Sequence, residues 1–370
     1  MKHGAGSEPR IRVLIVDDSA SARAALRRLL SGDPAIEVIG AAGDPFEAAG
    51  MMRTDLPDVM LLDLALPRMD GLTFLRKIMA QHPMPVVVCS SHTQKGSENA
   101  LRALESGAAE VIAKPSMATA GEREEAQIRL CDAVRAAAST RSGRAARPPV
   151  KPLSPGPKLT ADVILPPMRP GTVKGVPHCP VIAIGASTGG TEALLEVLRA
   201  MPAGMPPIVI VQHMPERFTD TFARRLDGLC RLTVTEAQSG DRLEPGRVLI
   251  APGNRHMIVR RVGGGYRVEI AEGPYVARHR PSVDVLFRSV AQTVGSGALG
   301  VLMTGMGDDG ARGLLEMRQA GAATFVQDEA SCIVFGMPKE ALALGAADTT
   351  VPLGKIALEA LTWVRGQARA

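Results

Sequence analysis

A serine flanked by small residues is the clearest candidate for chemistry in this sequence. Ser187 lies in the segment GASTGG (residues 185–190), after the apolar run VIAIG and before the helical pattern TEALLEVLRA. Small residues on both sides allow a sharp turn from strand to helix, which holds the hydroxyl out at the edge of a sheet. The amides of the helix N-terminus can stabilise a negatively charged oxygen. This pattern predicts the nucleophile of a serine hydrolase.

A nucleophilic serine requires a base and a group that orients the base. His213 ends the apolar run IVIVQH, and Asp308 and Asp309 follow the run VLMTGMG. Because the carboxyl ends of parallel strands meet at one edge of a sheet, we expect these side chains to lie near Ser187. The order serine, histidine, aspartate differs from that of the α/β-hydrolases, so a separate arrangement of the same triad is implied.

Two further histidines compete with His213 for the role of base. His256 follows the segment APGNR, and His279 lies in RHRPSVD beside two arginines. The commonest role for each is that of a structural histidine, and the alternative is a substrate contact. Their spacing matches no histidine metal motif. The segment around Ser187 also lacks both glycine-rich nucleotide-binding patterns, so binding of a dinucleotide or a nucleoside triphosphate is disfavoured.

A second set of polar residues ends the strands predicted near the N-terminus. Asp17 and Asp18 follow the first strand, Asp63 the third, Ser90 the fourth and Lys114 the fifth. Three carboxylates at one edge repel one another unless a cation lies between them, and such oxygen ligands suit Mg²⁺. A hydroxyl and a lysine beside them could bind phosphoryl oxygens, which predicts phosphoryl transfer to Asp63. The alternative is that these aspartates only cap helices.

The elements that position these residues alternate between apolar strands and amphipathic helices. The first series occupies residues 10–130 and contains five strand–helix pairs. The second series occupies residues 179–370 and includes a β-hairpin predicted around a triple-glycine turn at residues 263–265. Strands that alternate with helices in this way favour parallel sheets with right-handed crossovers. The fold class is therefore α/β, with two doubly wound parallel-sheet domains.

The basic character of the chain lies between these two series. The net charge is +5, but residues 135–178 contain eight Lys or Arg and one acid, so the rest of the chain is slightly acidic. Together with ten prolines in residues 148–180, this predicts a flexible Pro/Arg-rich linker, residues 135–178. Near-neutral domains and 3% aromatic residues argue against nucleic-acid binding.

The sequence contains no apolar run long enough to span a bilayer and no secretory signal pattern, so we expect a cytoplasmic protein without membrane insertion. Its five cysteines are scattered and odd in number, with no C-x-x-C pair. That usage indicates reduced thiols and not a disulfide framework.

Residues 10–130 resemble a response-regulator receiver domain, a flavodoxin-like fold. The resemblance implies that Asp63 is the phosphorylation site and that Ser90 and Lys114 bind the phosphoryl group. It also implies Mg²⁺ ligands, which are Asp17, Asp18, Asp63 and the carbonyl of Ala65. Ala65 has no polar side chain, which is no obstacle to a backbone ligand.

Residues 179–370 resemble the chemotaxis receptor methylesterase in the blocks VIAIGASTGG, IVIVQHM, APGNRHM, RHRPSVDVLF, VLMTGMGDDGA and FGMPKEA. The resemblance implies a Rossmann-like catalytic domain with Ser187 as nucleophile, His213 as base and Asp309 as the orienting acid. It places Thr188 and Met306 near the oxyanion. This chain has Asp308 where relatives often have asparagine.

The two resemblances together imply a phosphorylation-activated serine hydrolase. Its substrates would be glutamate methyl esters and certain glutamines of methyl-accepting chemotaxis receptors, and a chemotaxis sensor histidine kinase would donate the phosphoryl group. Mg²⁺ would be needed by the receiver and no cofactor by the catalytic domain. Two alternatives remain, namely a receiver-regulated hydrolase of another ester and a phosphorylation-controlled scaffold with an inert hydrolase domain.

Overall fold

The structure is a computed structural model that describes residues 10–90, 94–115, 120–140, 158–167 and 179–367. The chain divides into two compact units, with the boundary between residues 155 and 156. No helix in these described ranges is both long and apolar enough to cross a bilayer. All five cysteines lie within them and are free thiols.

The described part of the first unit contains a parallel sheet of five strands in the order β2-β1-β3-β4-β5. Helices follow the strands, as the alternating sequence pattern predicts. The strands are β1 (Ile11–Val16), β2 (Ile36–Ala42), β3 (Val59–Asp63), β4 (Val86–Ser90) and β5 (Glu110–Ala113). The helices are α1 (Ala20–Leu30), α2 (Pro45–Thr54), α3 (Gly71–Gln81), α4 (Gln94–Glu105) and α5 (Ala120–Thr140).

The first sheet forms because its strands are β-branched and apolar on both faces. Val13, Ile15, Leu61 and Val87 are fully buried, as a parallel sheet covered by helices requires. The chain runs from β1 outward to β2 and then crosses to β3 on the other side. The ends of β1 and β3 therefore border a crevice, the place where such sheets bind ligands.

The second unit is built on a parallel sheet of seven strands in the order β14-β13-β12-β6-β7-β9-β8. These are β6 (Val181–Ala186), β7 (Ile208–Gln212), β8 (Thr233–Glu236), β9 (Arg247–Ile250), β12 (Ala298–Leu302), β13 (Ala323–Gln327) and β14 (Thr349–Val351). The predicted hairpin is confirmed as the antiparallel pair β10 (His256–Val262) and β11 (Gly265–Ala271).

Six α-helices among the described residues of the second unit cover its sheet. They are α6 (Gly190–Ala200), α7 (Phe218–Leu229), α8 (Val283–Thr293), α9 (Ala311–Gln319), α10 (Met337–Ala343) and α11 (Leu353–Gln367). Helix α8 lies in the core, where Phe287 and Val290 are fully buried against the strands. Both units are thus doubly wound α/β folds.

Two stretches of the predicted linker are folded. Residues 135–140 continue helix α5 of the first unit. Residues 158–167 are ordered in the second unit and contain a 3-10 helix, Ala161–Val163. Both stretches are held by apolar side chains, because Ala136 and Ala137 are buried in one and Ala161 and Leu165 in the other.

Candidate active site

Three neighbouring strands bring the predicted hydrolytic residues to one edge of the second sheet. Strand β6 lies between β12 and β7, and Ser187 follows β6 directly. The amide of Ser187 donates to the carbonyl of Thr304 (3.0 Å), just beyond β12. His213 follows β7, and its amide donates to the carbonyl of Ala186 (3.1 Å). Backbone pairing of the central strands therefore sets the spacing of the site.

The turn at Ser187 is tied to the end of β7. The carbonyl of Ser187 accepts hydrogen bonds from the amide of Gly190 (2.7 Å) and from Nε2 of Gln212 (2.9 Å). Gly189 has a φ of 78°, which favours glycine, and α6 begins directly after it. A Cβ at Gly190 would lie 2.8 Å from the Cβ of Ala186, which cannot move aside without the backbone. Both glycines are therefore required for the turn.

His213 is held through only one of its ring nitrogens. Nε2 lies 2.8 Å from Oδ2 of Asp309. Nδ1 is buried and has no hydrogen-bond partner among the described residues. Because the buried carboxylate can only accept, the neutral ring donates from Nε2 and leaves a lone pair on Nδ1. The second nitrogen is therefore able to take a proton.

Asp309 is fully buried and receives four hydrogen bonds. Besides His213, its donors are the hydroxyl of Ser282 (2.8 Å) and the amides of Val283 (2.8 Å) and Asp284 (3.0 Å). These three belong to the first turn of α8, where the helix dipole favours a negative charge. Burial alone would raise the pKa of Asp309, but its bond to His213 and the other donors lower it. The carboxylate is thus kept ionised beside His213.

Asp284 supports the same region from behind Asp309. Its Oδ1 accepts from the amides of Gly310 (2.9 Å) and Gly313 (2.7 Å), which open helix α9. Burial raises the pKa of Asp284 to about 8, and the charge of Asp309 adds to this shift. No sequence pattern predicts Ser282 or Asp284 as a support, although both lie in the block RHRPSVDVLF.

We expect Asp284→Asn to reduce the loss of stability with rising pH. A carboxyl with a raised pKa in the folded state binds a proton there while the unfolded state has lost it. Each pH unit between about 4 and 8 then costs the wild type up to about 1.4 kcal/mol, and the variant escapes this cost. An asparagine oxygen can accept the same two amides. Urea unfolding from pH 5 to pH 8 measures the slopes, with the exposed Asp220→Asn as control. Equal slopes for wild type and Asp284→Asn would contradict the prediction.

His279 lies against His213 and does not replace it. The two rings stack with centroids 3.7 Å apart and an angle of 4° between their planes. Nδ1 of His279 is 2.9 Å from the carbonyl of Ala277 and 3.9 Å from Oδ2 of Asp309. The lone pair of an imidazole nitrogen lies in the plane of its ring, and two parallel planes 3.7 Å apart do not meet, so the lone pairs of the two rings do not converge on one ion. The stack therefore fits a support for His213 better than a metal site.

His256 lies behind the site. The side chain is fully buried, Nε2 is 2.9 Å from the carbonyl of Pro274, and Nδ1 accepts from the amide of Ser282 (3.3 Å). Burial lowers the pKa of His256, which keeps the ring neutral. With both nitrogens engaged, His256 has the contacts of a structural histidine.

The loop after β12 passes close to Ser187. A Cβ at Gly305 would lie 2.7 Å from the Cβ of Ser187, so only glycine allows this approach. Met306 follows and is partly buried. Thr188 is buried, and its carbonyl accepts from the hydroxyl of Thr304 (3.0 Å). The two residues assigned to the oxyanion region therefore lie on the turn of Ser187 and on the loop beside it.

A cleft of about 570 Å³ opens beside this turn. It runs along α6 and is lined by Gly189, Thr304 and Ile333 at one end and by Glu192, Glu196 and Arg199 along the helix. The side chain of Ile333 is half-exposed at the mouth. The lining mixes charged and apolar groups, which suits part of a protein segment.

The acidic residues of the first unit also meet as predicted. Asp17 and Asp63 are buried and Asp18 is exposed, and carboxylate oxygens of the three lie within 4.8 Å of one another. Nζ of Lys114 is 2.7 Å from Oδ2 of Asp63 and 2.9 Å from Oδ2 of Asp17. Burial alone would lower the pKa of Lys114, but its bonds to Asp63 and Asp17 raise it.

Ser90 and Ala65 stand at the same sheet edge. Ser90 is buried at the end of β4, next to Asp63 at the end of β3. The amide of Ala65 donates to Oδ1 of Asp63 (3.2 Å). Three carboxylates and one lysine leave an excess of negative charge, and this set of oxygen donors fits Mg²⁺.

The chain is similar to known proteins over nearly its whole length. A family model described as CheB methylesterase matches residues 182–360, and one described as response regulator receiver domain matches residues 13–121. The protein-glutamate methylesterase/protein-glutamine glutaminase of group 3 operon from Cereibacter sphaeroides is 59% identical over 96% of each chain. Protein-glutamate methylesterase/protein-glutamine glutaminase 5 from Anaeromyxobacter dehalogenans is 58% identical over 99% of this chain and 100% of its own.

Among solved structures, the Thermotoga maritima CheB methylesterase catalytic domain aligns with a TM-score of 0.50 at 36% identity. The alignment covers 50% of this chain and 99% of that domain. The α/β fold of the second unit is therefore confirmed by a related crystal structure. Because the similarity in sequence extends across both units, the chain belongs to the family of protein-glutamate methylesterases/protein-glutamine glutaminases, hydrolases that join a receiver domain to a catalytic domain.

Proposed function

We propose that Ser187, His213 and Asp309 carry out the reactions of this family, which are hydrolysis of glutamate methyl esters and deamidation of glutamine. The observation that supports this most is the asymmetry of His213. One ring nitrogen is bound to a buried carboxylate, and the other is buried without a partner among the described residues. That is the arrangement in which a neutral imidazole can remove a proton from a neighbouring hydroxyl.

In the first half of the reaction, Oγ of Ser187 attacks the side-chain carbonyl carbon of the substrate while its proton passes to Nδ1 of His213. The carbonyl π electrons move to oxygen, which becomes the oxyanion. When the tetrahedral intermediate collapses, the bond to the leaving group breaks and His213 returns the proton. Methanol leaves from an ester and ammonia from a glutamine, and a glutamyl ester on Ser187 remains.

In the second half, water attacks the glutamyl ester and gives its proton to His213. Collapse of this intermediate breaks the bond to Oγ, and the proton on His213 returns to Ser187. Both substrates therefore yield a glutamate carboxylate. Throughout, Asp309 stabilises the protonated ring without itself accepting a proton, since its own donors keep it ionised.

The oxyanion is assigned to the N-terminus of α6, with Thr188 and Met306 beside it. Helix amides that are not used within the first turn can donate to a negative oxygen. The close approach of Gly305 to Ser187 supports this assignment, because it brings the backbone of the loop after β12 next to the turn that carries Ser187.

For the first unit we propose that Asp63 accepts a phosphoryl group from a chemotaxis sensor histidine kinase. Asp17, Asp18, Asp63 and the carbonyl of Ala65 would hold Mg²⁺, which offsets the charge of the phosphoryl oxygens. Lys114 and Ser90 would bind two of those oxygens. Phosphorylation then raises the rate of the second unit on cytoplasmic segments of methyl-accepting chemotaxis receptors, and the enzyme works in the cytoplasm.

Release of labelled methanol from receptor membranes with methylated glutamates tests the proposed substrate. We expect release by the full chain and a faster rate after phosphorylation. If the chain hydrolysed small esters and released no methanol from methylated receptors, the result would favour a hydrolase of another ester.

Asp63→Asn should keep the basal rate of methanol release and lose the stimulation by a small acyl phosphate with Mg²⁺. Asparagine has nearly the same shape but cannot form the acyl phosphate. Initial rates with and without the donor measure the effect, with the exposed Asp55→Asn as a matched control. Stable labelling of the Asp63→Asn variant by radioactive acyl phosphate would move the acceptor to another carboxylate.

A further inference from the structure

Residues 158–167, which sequence patterning assigns to the linker, form a docked segment on the second unit. Ala161 and Leu165 are buried and form a small apolar cluster with Ile258, Val276 and Val285. Leu165 is 2% exposed, while Val163 on the same segment is 46% exposed. The side of the segment that carries Ala161 and Leu165 is therefore as buried as residues of the hydrophobic core.

Polar contacts fix the register of the docked segment. Arg288 of helix α8 donates to Oδ1 of Asp162 (2.5 Å) and to the carbonyl of Leu165 (3.0 Å). The same guanidinium binds Glu316 (2.6 Å), which makes it rigid. The hydrogen bond from Arg288 lowers the pKa of Asp162, which shows the favourable charge pairing. Arg288 is almost fully buried and its bond to the Leu165 carbonyl is buried as well, whereas the Asp162 side chain is half-exposed.

The docked segment reaches the frame of the active site at two points. Nζ of Lys158 forms an ion pair with Oδ1 of Asp308 (2.7 Å), which directly precedes Asp309. The carbonyl of Leu159 accepts from the amide of Ala277 (2.9 Å). Ala277 begins the bend that leads to His279, the ring stacked on His213. The segment thus contacts the residue before Asp309 and the bend before His279.

The bend at residues 276–279 needs such external support. Ala277 and Arg278 both have positive φ values, 48° and 70°, which non-glycine residues rarely adopt. Such backbone conformations are unfavourable for non-glycine residues and persist only where surrounding contacts hold them. The bonds to Ala277 and the packing on Val276 are such contacts. Without the docked segment, the position of His279 is less well determined.

We propose that the docked segment is a positioning element of the catalytic centre. It holds Asp308 and the bend at residues 276–279, and in this way it keeps Asp309 and His279 against His213. It touches no reacting atom, so it acts through these residues. The proposal rests on the roles assigned above to Ser187, His213 and Asp309.

Leu165→Asn in the full chain tests the apolar attachment. The polar side chain is similar in size but unfavourable in the cluster, so the segment should detach. We expect kcat for methanol release to fall about tenfold with KM unchanged, because misplacement of a catalytic pair reduces kcat without reducing binding. Val163→Asn, at an exposed position of the same segment, should keep wild-type kcat.

The ion pair provides a second test that leaves the core intact. Lys158→Ala, Asp308→Asn and the double variant remove the same interaction. Each should therefore lower kcat by about two- to fivefold, a modest loss because the pair is partly exposed. The losses should not add in the double variant. Lys158→Arg should restore most of the rate.

Wild-type kcat in Leu165→Asn, or additive losses in the Lys158 and Asp308 variants, would overturn the proposal. A rise in KM at constant kcat would do so as well, since the segment would then be a substrate contact. Should Leu165→Asn fail to fold, the ion-pair variants decide the question. Adding Ser187→Ala to each of these variants shows whether their remaining activity depends on Ser187. Activity that survives this change would mean that the nucleophile assignment has failed, and not the positioning role.

Discussion

Ser187→Ala should reduce the rate of methyl-ester hydrolysis to less than about 1% of the wild-type rate. Without the hydroxyl no glutamyl ester forms, and loss of one triad member typically costs several orders of magnitude in kcat. Only the binding site and the oxyanion donors would remain. Methanol release from methylated receptor membranes and ammonia release from a glutamine substrate should fall together, because both reactions use the same nucleophile.

Controls separate this loss from misfolding. The side chain of Ser187 is small and no hydrogen bond of the described residues depends on its hydroxyl, so thermal unfolding should change little. Ser239→Ala removes the same group from an exposed loop of the same unit and should keep full activity. Residual activity of Ser187→Ala above about 1% would assign the nucleophile to another residue.

Asp309→Asn should lower kcat by about 10³- to 10⁴-fold, a loss of the size seen when the acid of a serine triad is replaced. All four partners of Asp309 act as donors, and an asparagine amide group would direct its own protons at two of them. The ring of His213 would then lose its acceptor and its charge partner. Because the group is fully buried, the free energy of unfolding should also fall by about 1–3 kcal/mol.

Asp308→Asn provides the matched control, since it makes the same change at the preceding residue. Asp308 is partly exposed and pairs with Lys158, so its replacement should cost no more than about fivefold in kcat. Steady-state kinetics and urea unfolding of the two variants measure the difference. Similar kcat values for both would mean that Asp309 is not the acid that orients His213.

The positions of the strand ends could be predicted from the sequence with good accuracy. An apolar run of strand length ends at or just before each of four candidate residues, namely Asp17, Asp63, Ser187 and His213. Strands that alternate with helices favour parallel sheets. Parallel sheets bring such ends together whatever the details of packing. For this reason the candidate residues could be grouped before any distance was known.

The supports of the site could not be predicted, because they depend on contacts between distant parts of the chain. Ser282 and Asp284 bind Asp309 only because α8 begins beside the loop after β12. Lys158 meets Asp308 across 150 residues of sequence. Local patterns describe the period of an element and its ends, whereas these contacts depend on how elements pack. His256 and His279 could be told apart only by their surroundings.

Two elements at the C-terminal end have weak sequence signals. Strand β14 has three residues, two of them exposed, which is too short for a pattern of alternation. Helix α11 has three buried residues, namely Ile356, Ala357 and Ala360, which give only a short apolar pattern. Composition predicts a linker at residues 135–178, and the prolines there obscure a short apolar pattern at Ala161 and Leu165, which pack on the second unit.

The order of strands in the second sheet also determines when the enzyme becomes active during its synthesis. Strand β6 is flanked by β7, which follows soon after it, and by β12, which is made more than a hundred residues later. A nascent chain can therefore present Ser187 and His213 early, yet Asp309 and its support from α8 arrive only when most of the domain has left the ribosome. Pairing over such sequence distances is slow. In an incomplete chain Ser187 should therefore be exposed but unreactive. Catalytic activity should begin only when the sheet of the second unit is complete.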